Sequence, residues 1–133
     1  MPTVITKPKV HISPELLDQI KTQTEEVGQV VLHFIIRNIM PWPIGIRIWP
    51  TTYLYDNGSD HVSEMVHVEN IVQAPEWQEV EPMKETYFTL IFSGLPKGCT
   101  SFDFVEECES EGGEFVCRGI ERNETDVYYL AMG

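Results

Sequence analysis

The chain has 133 residues, of which 21 are acidic and nine are basic, so its formal net charge is −12 at neutral pH. Affinity for nucleic acids and for anionic membranes depends on Lys and Arg, so this charge argues against both partners. Hydrophobic residues make up 42% of the chain, which is enough for one packed domain and too much for a disordered one.

Residues 1–27 are predicted to form an N-terminal arm and a short helix. Ser13 can cap a helix, and Pro14 fits the first helical position because the N–H that it lacks is not needed there. The apolar residues that follow recur at helical spacing. We therefore expect a helix over residues 14–24 that ends near Gly28.

No apolar leader precedes this helix. The longest nearly unbroken apolar run, residues 30–36, is much shorter than the roughly 20 residues that a membrane-spanning helix needs. If Met1 is the natural start, the sequence predicts a cytoplasmic protein. A periplasmic protein is the alternative if the natural chain begins further upstream.

From residue 30 onward, apolar residues alternate with polar ones, which is typical of β-strands. Pro50 interrupts one of these runs and predicts a bulge or a sheet edge there. The sequence DNGSD at residues 56–60 predicts a turn, and residues 72–84, with two prolines and no clear period, predict a loop. The predicted strands cover residues 30–37, 44–55, 62–71, 86–93, 102–105, 115–120 and 126–132.

These seven or eight short strands are separated by turn signals and not by helices. Parallel neighbours usually need a helical crossover, so we expect antiparallel strands throughout. The pattern predicts an all-β domain over residues 28–133, built as a sandwich of two packed sheets. A closed barrel is the alternative architecture.

Three segments of the chain, FTLIFSGLPKG, SFDFVEECE and FVCRGIE, resemble an immunoglobulin-like β-sandwich found in many Bacteroidetes proteins of unknown function. In that family an apolar strand with a Leu-Pro turn precedes a Phe-Asp-x-x-Glu segment and a Gly-Ile strand. The resemblance covers about the last two thirds of the chain. It implies an immunoglobulin-like fold of bacterial origin and no catalytic residues. The matching positions are residues 88–98, 102–106 and 119–120, with residues 50–56 as the upstream strand.

One face of the predicted strand over residues 44–55 is unusually aromatic for a surface exposed to solvent. Aromatic residues and Arg are enriched at protein interfaces, so this face is our candidate contact for a protein partner or a second copy of the chain. Ile35 and Ile91 would extend it if their strands are neighbours. Alternatively, the N-terminal arm or helix covers the face, or the face binds a sugar or another small molecule. The candidate residues are Trp42, Arg47, Trp49, Tyr53 and Tyr55.

The acidic stretch over residues 106–114 has five Glu residues in nine positions and no basic residue. Such a run could bind a hard cation such as Ca²⁺, but its spacing matches no calcium loop, and solvated hairpin charges are the simpler interpretation. His61 and His67 lie about 20 Å apart in an extended strand, which is too far to share one metal ion. We therefore expect no metal site.

The three cysteines are odd in number and lack CxxC spacing, which argues against a complete disulfide framework and against structural zinc. Cys108 and Cys117 flank a turn-like segment and could form a disulfide across a hairpin. Reduced thiols are the alternative.

The sequence contains no nucleophile elbow, phosphate-binding loop or dinucleotide-binding motif. We therefore predict a protein that is not an enzyme and has no cofactor. The predicted function is a β-sandwich interaction module that binds a protein partner, or itself, through the aromatic face. A module that binds carbohydrate or a divalent cation is the alternative.

Overall fold

The computed structural model describes residues 3–4, 28–108 and 115–132. Within these ranges the protein is all-β, as predicted, and includes no helix that could cross a membrane. The predicted helix over residues 14–24 lies outside the described residues, as does most of the acidic stretch. The strands are β1 (Thr3–Val4), β2 (Val30–Arg37), β3 (Ile44–Ile46), β4 (Thr52–Asp56), β5 (Val62–Glu69), β6 (Gln78–Val80), β7 (Glu85–Phe92), β8 (Ser101–Glu106), β9 (Val116–Glu121) and β10 (Val127–Met132).

Eight of these strands form one sheet in the order β1-β10-β2-β7-β5-β4-β8-β9, and β3 and β6 form a separate two-stranded ribbon. Every pair is antiparallel except β2 with β10, which are parallel over six residue pairs. The prediction of antiparallel strands throughout is therefore wrong at this pair. Alternation of apolar residues fixes which side chains face the core, but it carries no information on the direction of a neighbouring strand.

The large sheet changes partners along β5. Residues 62–64 pair with β4, whereas the strand pairs with β7 from Met65 onward. The register shifts between Met65 and His67, so the extra residue Val66 forms a bulge. A bulge bends its strand and increases the local twist, and β5 is accordingly the strand that joins the two halves of the sheet.

The sheet curls so that its two halves enclose one core. The Phe34 ring on β2 lies 5.2 Å from the Phe104 ring on β8, and the Phe102 ring lies 5.0 Å from the Tyr128 ring on β10. These contacts join strands that are not neighbours in the sheet. Burial of each Phe side chain contributes about 2–3 kcal/mol through the hydrophobic effect, so this layer of rings is a major source of stability.

The outward face of β2 is buried as well. Val31, His33 and Ile35 are at most 4% exposed, and Ile91 on the neighbouring strand β7 packs against Val31. The strands of Ile35 and Ile91 are thus neighbours, but neither residue can extend an exposed aromatic face. Alternation along β2 does not reveal this because both of its faces are apolar.

The predicted strand over residues 44–55 is two strands that belong to different sheets. Pro50 has no N–H to donate and lies between β3 and β4, where only Ile48 forms an isolated bridge, with Gln73. β3 pairs with β6, so the loop prediction for residues 72–84 is wrong at 78–80.

The three cysteines all lie in the described part of the chain and form no disulfide. Cys99 and Cys117 are buried, and burial raises the pKa of both thiols. Cys117 is part of the core, opposite Phe104 in the β8–β9 pair. The hypothetical disulfide between Cys108 and Cys117 is therefore not formed.

Candidate functional site

The end of the β3–β6 ribbon brings a guanidinium group against two indole rings. Ile46 pairs with Gln78, so the next residues along the ribbon, Arg47 and Trp77, lie opposite each other. The Cζ atom of Arg47 lies 3.8 Å from the centre of the Trp77 ring and 5.0 Å from that of Trp49. At these distances a guanidinium is attracted by the negative face of each ring. Nη1 of Arg47 also donates to the Pro75 carbonyl at 3.2 Å.

Gly45 lets Trp77 lie close to the ribbon. A Cβ atom at this position would lie 3.1 Å from Cε3 of Trp77, which is closer than an ordinary van der Waals contact. Even in this position Trp77 is 62% exposed. A large apolar ring is therefore available at the surface beside Arg47.

Trp49 is fixed by the buried carboxylate of Glu106, which is 3% exposed. One oxygen of this carboxylate accepts a hydrogen bond from the Trp49 backbone N–H at 2.9 Å, and the other accepts from the Phe115 N–H at 3.0 Å. The Thr52 hydroxyl donates to the Trp49 carbonyl. The hydrogen bond from Trp49 to Glu106 anchors the irregular segment around Pro50 to the end of strand β8.

An open groove of about 700 Å³ lies beside these residues. The groove is lined by residues of three segments: the one before β4, the one around Pro75 and the one that follows β8. The Glu107 backbone N–H donates to the Thr51 carbonyl at 2.8 Å, so two of these segments are hydrogen-bonded to each other. The lining residues are Arg47, Trp49, Pro50, Thr51, Ala74, Pro75, Glu107 and Cys108.

The rim of the groove continues onto the outer face of β4. The Tyr55 hydroxyl donates to the Glu107 carboxylate, and this bond raises the pKa of Tyr55 to about 12. The Tyr53 and Tyr55 rings lie 6.3 Å apart, and both side chains are half-buried. On the neighbouring strands, Val105 lies opposite Tyr53 and Val62 lies opposite Tyr55. An amphipathic surface therefore extends from the groove across the sheet.

Four of the five sequence-predicted interface residues thus belong to the groove and the adjoining face of β4. Trp42 lies apart from them, in the turn before β3, at the opposite end of the ribbon from Arg47. It belongs to an apolar tip that also contains Ile39, Met40 and Met83, all of which are exposed. These are four of the seven exposed large hydrophobic residues in the described part of the chain, so the tip is a separate surface.

Asn38 organises this apolar tip. Its buried side chain donates to the carbonyls of Trp42 and Val80 at 2.8 and 2.9 Å, and it accepts from the Met40 N–H at 2.9 Å. The Asn38 N–H donates to the Lys84 carbonyl. The tip is therefore a defined turn fixed to the ribbon.

Trp77 and Glu106 belong to the candidate site but are not among the residues predicted from the sequence. Trp77 falls in the predicted loop, and Glu106 falls in the acidic stretch, for which solvated charges are the simpler interpretation. A Trp in an otherwise polar segment is the signal that could have identified Trp77, because a large aromatic ring in such a segment needs either a packing partner or a ligand.

The described residues include no group of three His, Cys, Asp or Glu side chains that could bind a metal ion. His61 contacts the Ser63 hydroxyl and the Gly94 carbonyl, whereas Nε2 of His67 lies 2.6 Å from the Glu69 carboxylate. Comparisons of the chain with protein-family models, with curated proteins and with solved structures found no match.

Proposed function

We propose that this domain is a non-catalytic interaction module that binds an extended segment of a protein partner in the groove beside Arg47, Trp49 and Trp77. The observation that carries the proposal is the contact of one guanidinium with two indole rings at the edge of an open groove of about 700 Å³. Trp and Arg are strongly enriched among the residues that dominate binding energy at protein interfaces. The volume suits a few side chains of a partner.

The surface beside the groove favours a macromolecule over a small ligand. The half-buried face of β4, with Tyr53 and Tyr55, adjoins the groove through the bond from Tyr55 to Glu107. Val62 at the edge of this face is 40% exposed. A partner seated in the groove would also cover part of this face, and an interface with an apolar centre and a polar rim would result.

The strand order supports an immunoglobulin-like assignment of the fold. In such domains strands A, B, E and D form one sheet and strands C, F and G form the other. Here β2, β7 and β5 lie side by side like B, E and D, and β4, β8 and β9 like C, F and G. These six strands also follow one another in that alphabetical order along the chain. The departure is β10, which lies parallel to β2 in the position of strand A.

Peptide selection tests the proposal. A display library of random 12-residue peptides would be panned on the immobilised full chain and, in parallel, on the Trp49→Ala and Trp77→Ala variants. We expect a family of related peptides to be enriched on the wild-type chain and not on either variant. Equal enrichment on all three proteins would contradict the proposal, as would the absence of any enriched family.

Self-association is the related alternative, and the mass in solution distinguishes it. Light scattering on a sizing column, under reducing conditions and over a dilution series, should give a mass near 15.3 kDa if the groove serves a different protein. A stable dimer that dissociates in a Trp49→Ser, Tyr53→Ser variant would favour self-association through this surface.

A carbohydrate ligand is the second candidate, because the exposed Trp77 ring contacts Arg47, and Arg47 and Glu107 both line the groove. Ligand sites commonly combine an apolar wall with a few such polar groups. Calorimetric titration with a panel of oligosaccharides would favour this candidate if one sugar binds the wild-type chain and not Trp77→Ala. The cation alternative depends on residues 109–114, outside the described part, and a thermal shift with Ca²⁺ tests it.

A further inference from the structure

Among the residues that the structure describes, Arg47 is the only one of the four arginines without a carboxylate partner. Arg37 pairs with Glu85, Arg118 with Asp103 at 3.2 Å, and Arg122 with Asp126 at 2.9 Å. The chain has 21 acidic residues for its nine basic ones, so acidic partners are abundant. An arginine that has no carboxylate partner in the described part of such a protein is a position where a carboxylate from outside the chain can be accepted.

The guanidinium of Arg47 is already oriented for such a group. The two indole rings and the Pro75 carbonyl fix its position, and the carbonyl uses one N–H of Nη1. A guanidinium has five N–H groups, and those on one edge can bind both oxygens of a carboxylate at once. The N–H groups of Nε and Nη2 have no acceptor in the described part of the chain. Because Arg47 lines the groove, a ligand there can reach them.

We infer that the groove recognises a partner segment by the side-chain carboxylate of an Asp or Glu, which binds the Nε and Nη2 N–H groups of Arg47. This inference rests on the proposed function. Apolar residues next to this carboxylate would pack against Trp49, Pro50 and Pro75. The Glu107 carboxylate lies at the rim, and the chain as a whole is strongly acidic. A monoanionic carboxylate therefore suits the single guanidinium better than a dianionic phosphate, which the surrounding charge would repel more strongly.

A cationic anchor is disfavoured at the same position. The guanidinium of Arg47 already lies against both indole rings, where a partner's Lys or Arg would otherwise bind. A second cation would meet this charge at short range. The contact of Arg47 with the rings thus determines the sign of the charge that the groove can accept.

Three peptides serve as defined probes. The first is a blocked Phe-Glu-Phe tripeptide, the second is the blocked Phe-Gln-Phe isostere, and the third is Phe-Gln-Phe with a free carboxyl terminus. Each would be titrated into the ¹⁵N-labelled full chain, and the signals of the Arg47 Nε–H and of the Trp49 and Trp77 indole N–H groups would be followed. Arg47→Met keeps an apolar stem without the charge. Arg37→Met, which removes an arginine that is already paired, is the matched control.

We expect the Glu peptide to shift the groove signals with an affinity about tenfold higher than the Gln peptide, because a hydrogen bond to a charged group is worth about this factor or more. The difference should disappear in Arg47→Met and remain in Arg37→Met. Equal binding of the Glu and Gln peptides would overturn the carboxylate inference while leaving the groove as a binding site. Preference for the free terminus alone would overturn the assignment to a side chain. If none of the three peptides shifts these signals, the carboxylate inference is wrong. The proposed function is tested separately by the selection of peptides from the display library.

Discussion

The carboxylate of Glu106 on β8 accepts a hydrogen bond from the backbone N–H of Trp49 at 2.9 Å, across 57 positions of the chain. The same carboxylate accepts from Phe115, on the segment that leads into β9. One buried acidic residue therefore fixes the irregular backbone that carries Trp49 and connects it to the edge of the sheet. Glu106 therefore supports both the position of Trp49 in the candidate site and the attachment of the segment before β9 to β8.

Replacement of Glu106 by Ala should destabilise the domain. Two part-buried backbone N–H groups would lose their acceptor, and the loss of an acceptor costs a buried donor about 1–3 kcal/mol. We expect the free energy of unfolding, measured with urea, to fall by about 3 kcal/mol. Glu121→Ala removes an exposed carboxylate from β9 and should change it by less than about 0.5 kcal/mol. Equal effects of the two substitutions would show that Glu106 is not a structural anchor.

Gly94 should tolerate no side chain. A Cβ atom there would lie 1.8 Å from the carbonyl oxygen of Gly28, and a backbone atom cannot move aside as a flexible side chain can. We expect Gly94→Ala to lower the free energy of unfolding by at least about 2 kcal/mol, in the range of overpacked cores. At Gly98 a Cβ atom would meet nothing within 4 Å, so Gly98→Ala should be close to neutral in the same measurement. A neutral Gly94→Ala would mean that the two backbones are not in close contact.

His33 should make the stability of the domain depend on pH. Its ring stacks on Tyr129, Nδ1 lies 2.7 Å from the Thr89 hydroxyl, and Nε2 has no hydrogen-bond partner among the residues that the structure describes. Burial lowers its pKa from 6.5 to about 4. Between these two values the unfolded chain binds a proton that the folded chain does not. The stability contributed by the neutral ring is therefore complete above pH 6.5 and is lost as the pH falls through 4.

The size of this effect follows from the difference between the two pKa values. Between pH 7.5 and 4.5 the wild-type chain should lose about 2–3 kcal/mol more stability than His33→Asn, which cannot titrate. His67→Asn removes an exposed histidine and is the matched control, so it should keep the wild-type pH dependence. If the free energies of unfolding of the wild type and His33→Asn change in parallel with pH, the prediction is wrong. The His33 pKa would then be the same in the folded and the unfolded chain.

Gly45 should affect binding more than stability. A valine there would favour the strand, but its side chain would displace the exposed Trp77 ring from the ribbon. We expect Gly45→Val to weaken groove binding at least fivefold, while the free energy of unfolding changes by less than about 1 kcal/mol. Titration with a selected peptide and urea unfolding of the same samples would compare the two effects. Undiminished affinity would mean that the position of Trp77 is irrelevant to binding.

The strands that form the core could be predicted from the sequence because their apolar residues alternate over a full strand length. This holds for β2 and β7, where Phe34 and Phe88 are buried on the same face of the sheet and stack on each other at 4.8 Å. The β3–β6 ribbon could not be predicted, since its strands have three residues each and prolines flank them. The parallel pairing of β10 with β2 could not be predicted either, because the partner and direction of a strand depend on tertiary structure.

The candidate site was predicted only in part for similar reasons. Arg47, Trp49, Tyr53 and Tyr55 stand out by composition and by their spacing in a single run. Trp77 joins them only through pairing of the ribbon, and no local pattern indicates that pairing. Burial of Glu106 likewise depends on where β8 ends relative to Trp49, and an acidic residue in an acidic stretch gives no hint of it.

The most direct test of the central claim is calorimetric titration of a selected peptide into the wild-type chain, Trp77→Ala and Trp42→Ala. Both substitutions remove an indole that is more than half exposed, but only Trp77 lies beside the groove. We predict that Trp77→Ala weakens binding at least tenfold, equivalent to about 1.4 kcal/mol, and that Trp42→Ala leaves the affinity within twofold of the wild type. The reverse result, with binding lost in Trp42→Ala and kept in Trp77→Ala, would contradict the account and assign the interaction to the apolar tip.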